Sequence, residues 1–182
     1  MAHEFTASYT KDATDLFRHY KRLAERAIEQ VPDTGLTATL DPESNSIAII
    51  MKHMAGNMRS RWSGFLTTDG EKPDRNRDTE FEGAPKDRAA LLAMWEQGWK
   101  YVFDALEPLT DADLSRTVMI RSEPHSVMQA MNRQIAHYSY HVGQIVYLAK
   151  HFTGNRWTSL TIPRGKSAEF NSNVSAGKAS QR

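Results

Sequence analysis

His137 and His141, spaced H-x-x-x-H, are the residues of this chain best arranged to do chemistry. On a helix that spacing stacks two imidazoles on adjacent turns, about 6 Å apart along the axis. His53, remote in sequence, would add a third imidazole from a second helix. Three neutral ring nitrogens held in this way bind a divalent metal and leave a position open for water or substrate. His53, His137 and His141 are therefore the expected metal ligands.

Their neighbours extend the pattern. Asn57 and Arg61 follow His53 at successive i+4 steps, and both are candidate catalytic residues. Asn57 would hydrogen-bond either a ligand imidazole's second nitrogen or the substrate. Arg61 has two readings, as the partner of a carboxylate on another helix or as the holder of an anionic substrate group. Arg133 and Gln144 flank the histidine pair, while His3, His19, His125 and His151 read as surface or capping residues. Competing metal motifs are excluded. A di-iron bundle needs bridging glutamates and E-x-x-H pairs, which these helices lack. Tyr138 follows His137, so the H-E-x-x-H of zinc proteases is absent. Tyr138, Tyr140 or the substrate itself would then have to manage the protons.

Four amphipathic helices are predicted to position these groups. The first runs from about Phe5 to Gln30, with Tyr9, Ala13, Leu16, Tyr20, Leu23 and Ala27 as its stripe, and ends at Val31-Pro32 and Gly35. The second runs from Ser44 or Ser46 to Leu66, the third opens at Pro85, and the fourth runs from Ser126 to Phe152. Trp95 and Trp99 are at core spacing on the third helix. Arg116 to Arg121 is expected to be extended. The connection from Thr67 to Ala84 is long enough to travel the length of a bundle at about 3.3 Å per residue. The predicted fold is all-α, a four-helix bundle with a long crossover between helices 2 and 3. Residues 1–152 would form the bundle, and 153–182 a polar extension that is either loose or packed along the body.

Composition narrows the function classes. The 182 residues carry a formal net charge of +1, and no helix concentrates basic residues on one face, so nucleic acid is not an expected partner. The absence of cysteine excludes disulfides, thiolate ligands and a cysteine nucleophile, and suits a reducing cytoplasm. No apolar run is long enough to span a bilayer, and the N-terminus lacks the pattern of a secretory signal.

The blocks MKHMAGNMRSRW around His53 and NRQIAHYSYHVGQIVYLAKHF around His137 and His141 resemble the DinB/YfiT-like superfamily, in a branch of small bacterial proteins. The resemblance covers roughly residues 5 to 152. It implies a four-helix bundle with a long second connection, a zinc or nickel ion on the three matching histidines, and a homodimer. Relatives include thiol S-transferases that attach bacillithiol or mycothiol to electrophiles, and a maleylpyruvate isomerase. The resulting expectation is a zinc- or nickel-dependent transferase acting on a small-molecule thiol and an electrophile. Metal-assisted hydrolysis and a non-catalytic metal-binding stress-response protein are the alternatives.

Overall fold

In the computed structural model, which describes residues 6–180, the chain runs α1 (Tyr9–Ile28), α2 (Asp33–Thr37), α3 (Ile47–Trp62), α4 (Arg88–Leu106), β1 (Thr117–Ile120), β2 (Glu123–Ser126), α5 (Val127–Thr153) and α6 (Ser167–Ser175). It is mostly helical, with one small antiparallel hairpin in which Thr117 pairs with Ser126. The helices that carry the histidines start where capping chemistry directs. Ser46 accepts from the Ile49 N–H, and Ser126 forms a reciprocal capping box with Gln129. Each such cap contributes about 1 kcal/mol to its helix.

α3 packs against α4, α1 packs against α5, and α3 also meets α5. Phe17, Met54, Met58, Trp62, Trp95, Trp99 and Tyr138 are fully buried between them. Gly98 lets α3 and α4 approach closely, since a Cβ there would sit 3.0 Å from the Ala55 Cα. Arg88 of α4 reaches the Ile28 carbonyl and Lys21 reaches Glu96, which lays α4 along α1. Among the described residues no helix is long and apolar enough to cross a membrane.

Several boundaries differ from the sequence reading. The stripe of α1 is rotated: Phe17 and Ala24 are buried, whereas Leu16, Tyr20 and Leu23 are only partly so. The helix meets both α5 and α4, and the line between two partners is not the centre of one apolar face. Pro85 does not open α4; Asp87 caps it two residues later by accepting from the Ala90 N–H at 2.8 Å. α3 stops at Trp62, short of Leu66. Gly35 lies inside the short α2, packed on Val31 and Phe152. The expected start at Phe5, and His3, lie outside the described residues.

The segment between α3 and α4 is held down. A 3-10 turn at Asp78–Phe81 lies against α3. Ser60 donates to the Gly70 carbonyl at 2.7 Å, and the Gly70 N–H donates to the Met119 carbonyl at 2.7 Å, tying this segment to the hairpin. Beyond α5 the chain folds back on α1. Gln30 accepts from the Thr158 N–H, and Arg26 donates to the Leu160 carbonyl. α6 buries none of its residues.

Candidate metal centre

His53 projects from the middle of α3 and His137 and His141 from consecutive turns of α5. The Nε2 atoms of His53 and His137 are 3.4 Å apart, and those of His141 and His137 are 3.1 Å apart. One candidate ligand atom from each of the three lies within 4.8 Å of the others. Zn–N bonds of about 2.0–2.1 Å imply N···N separations of about 3.3 Å in a tetrahedral site. The spacing fits a divalent ion.

The protons support that fit. The His53 Nδ1 donates to Glu80 Oε2 at 2.8 Å, and the His141 Nδ1 donates to Gln144 Oε1 at 2.9 Å. With those nitrogens protonated, both Nε2 atoms carry lone pairs toward the centre. A single proton on the His137 Nε2 satisfies at best one of the two contacts, whereas a cation satisfies all three nitrogens. Burial, with the neighbouring His141 and His53 and then Arg61 and Arg133 adding to it, holds the His137 pKa down to about 3. Burial also lowers that of His141 to about 4, against the opposing hydrogen bond to Gln144. Both imidazoles are therefore neutral at pH 7, the form that could bind a metal.

Glu80 is the group the sequence reading missed. Burial alone would raise its pKa, but hydrogen bonds from His53 and Arg75 outweigh that and keep it ionised. Arg75 reaches both of its oxygens, at 2.8 and 3.0 Å, and also contacts Glu71. Its trace in the sequence is Gly56, a glycine in mid-helix that costs about 1 kcal/mol relative to alanine. A Cβ at Gly56 would run into the Glu80 carboxylate, with Cδ only 2.7 Å away.

Phe81 stacks on His53 with ring centroids 4.6 Å apart, and Tyr140 lies 4.1 Å from His141. In front of the histidines opens a cavity of about 510 Å³, lined among others by Asn57, Arg61, Arg121, Arg133 and Gln134. Asn57 is buried and its Oδ1 accepts from the Tyr138 hydroxyl at 3.1 Å. Tyr138 also accepts from the Trp62 Nε1, and burial pushes its phenol up, so it is no base near neutrality. Arg61 is buried on Glu71 at 3.1 Å and on the Gly70 carbonyl, while its Nε has no partner. Trp95 and Trp99 pack in the core, away from the cavity lining. His19, His125 and His151 take no part in the cluster.

A family model described as a protein of unknown function, DUF1572, matches residues 4–166. The chain belongs to that family. No curated protein matches it.

Proposed function

We propose that the protein is a metal-dependent enzyme that transfers a small-molecule thiol to an electrophile, with zinc, or alternatively nickel, on His53, His137 and His141. The observation that carries this reading is the convergence of three Nε2 atoms on a cavity that, among the described residues, is lined by no aspartate or glutamate. A divalent ion in such a site lowers the pKa of a bound thiol and so supplies the thiolate, the nucleophilic form. Because the chain has no cysteine, the sulfur belongs to the cosubstrate.

The protein's own groups have definable parts. Glu80 and Gln144 keep the protons of His53 and His141 on Nδ1, turning the Nε2 lone pairs inward. Phe81 and Tyr140 cover two of the imidazoles and limit the water that reaches them. Asn57, fixed by Tyr138, and Arg61 are the polar groups of the wall assigned to contact the substrate. Hydrolysis is disfavoured because the carboxylate that touches the cluster, Glu80, is engaged by His53 and Arg75 and is not free to act as a base for water.

The proposal includes the bundle itself, with α3 and α4 running side by side after the long crossover. Gly98 against Ala55 and Met58, and Lys21 against Glu96, support that arrangement. The DinB/YfiT-like resemblance of the histidine blocks supports it too, and with it a cytoplasmic homodimer. Sedimentation checks the dimer. Metal analysis of untagged protein tests the centre: about one equivalent is expected in the wild type and none in His137→Ala. The metal-loaded protein, offered several bacterial thiols and a generic electrophile, should exceed the uncatalysed rate with at least one. Background rates with every thiol would retire the transferase.

A further inference from the structure

We infer that the cavity in front of the histidines binds an oxyanion of the substrate, a carboxylate or a phosphate, through Arg121, Arg133 and Arg77. The inference rests on the proposed site and adds the class of molecule that enters it. Among the described residues, five arginines line the cavity, Arg61, Arg75, Arg77, Arg121 and Arg133, and no carboxylate does. Two carboxylates behind the wall offset part of that charge. Glu71 is shared among Arg61, Arg75 and Arg121, and Glu80 pairs with Arg75. The arginines still outnumber these carboxylates. Arg133 is exposed and has no ion-pair partner among the described residues, and Arg77 lies over the Phe81 ring at 5.0 Å without one.

Two further observations point to a ligand. Arg61 Nε is buried at the cavity wall with no hydrogen-bond acceptor, in a residue only 5% exposed. A buried N–H is seldom left so, and an oxyanion in the cavity would supply the acceptor it lacks. The second is strain. Arg121 and Ser122 form the hairpin turn with φ of 55° and 62°, a left-handed pair that normally calls for Asn-Gly. Asp69 enforces it, accepting from the Arg121 N–H at 2.8 Å and the Ser122 N–H at 2.7 Å. The outcome is an arginine held at the cavity on Glu71, 2.9 Å away. Strain of this kind persists where the surroundings over-determine it, commonly at binding sites. Guanidinium groups match the planar, bidentate geometry of carboxylate and phosphate.

The test is titration of the metal-loaded protein with inorganic phosphate and, separately, with succinate, read from backbone amide shifts in NMR spectra. Metal content is assayed on the same samples. Saturable shifts at Arg133, Gln134 and Arg121 are expected with at least one anion, and the anion that binds identifies the group. In Arg121→Gln and in Arg133→Gln the affinity should fall by about tenfold or more, as loss of a charge-assisted bond implies. Arg156→Gln, which lines no part of the cavity, should leave it unchanged. Absence of saturable shifts with both anions in metal-replete protein would overturn the inference and leave the metal centre standing. Equal losses in all three variants would also overturn it, by reducing it to net charge. Anion binding in protein that takes up no metal would instead uphold the anion site and remove the metalloenzyme.

Discussion

The two walls of the histidine cluster are built on different principles. On the α5 side, His141 is oriented by Gln144, three residues along the same helix and exposed. On the α3 side, His53 is oriented by Glu80, 27 residues away and buried, within the chain Glu80–Arg75–Glu71–Arg61. One wall is local and neutral. The other is long-range, ionic and assembled only when the segment between α3 and α4 docks. A charged acceptor in a buried position binds its imidazole more firmly than a solvated amide does. The α3 wall should therefore carry more of the site's preorganisation.

Glu80→Gln should break that wall most severely. It leaves Arg75 with one fewer anion in a buried position and weakens the acceptor on His53. Metal affinity, measured by competition with a chromogenic chelator, is expected to fall by about 10- to 100-fold. Gln144→Ala should cost less than about tenfold, because water can replace an exposed amide. Equal losses would show that the two walls are equivalent.

Gly56→Ala sharpens the same contrast from the backbone. Alanine gains about 1 kcal/mol of helix propensity at an ordinary site. Here its methyl would collide with the Glu80 carboxylate, so both metal affinity and melting temperature should fall despite the gain in helix propensity. In a Glu80→Ala background the collision is gone, and the same change should raise the melting temperature. A sign that does not reverse between the two backgrounds would separate Gly56 from the Glu80 buttress.

That contrast also explains what could be read beforehand. His137 and His141 announce themselves by spacing, and Ser46 and Ser126 mark their helices, because these are interactions within four residues. His53 is marked only by the stripe of its own helix and by resemblance. Glu80 and Arg75 were not legible: TTDGEKPDRNRDTEFEGA has the composition of a solvated loop, and nothing local marks which carboxylate turns inward. The hairpin was half visible. β1 falls in the stretch read as extended, but its turn is made by Arg121-Ser122, not by a glycine-bearing pair, and is held by Asp69 some fifty residues earlier.

Acid should act on the α5 wall in a defined window. An unfolded histidine titrates near 6.5. In the fold, burial holds His137 near 3 and His141 near 4. Between these values the unfolded chain binds more protons, so this stabilisation is complete above about pH 6.5 and is lost as pH falls toward 4 and 3. Metal-free protein should melt at a lower temperature at pH 5 than at pH 7. The gap should narrow in the His137→Gln, His141→Gln double variant. Thermal melts across the range check it, and an unchanged gap would place the acid sensitivity elsewhere.

The smallest effect is expected at the hairpin turn, where residues 121 and 122 separate strain from use. Both sit in the left-handed region, which costs an L-residue about 1–2 kcal/mol relative to glycine. Part of that advantage is returned through glycine's greater freedom in the unfolded chain. Ser122→Gly should therefore stabilise the protein by about 0.5–1 kcal/mol, a shift of about 1–4 °C in melting temperature for a chain of this length. Arg121→Gly relieves the same backbone strain but removes the side chain that joins Glu71 at the cavity. If the turn's geometry exists to place that arginine, only the second change should weaken anion binding, while both raise or preserve the melting temperature. Equal affinity in the two variants would mean that the turn serves the fold alone.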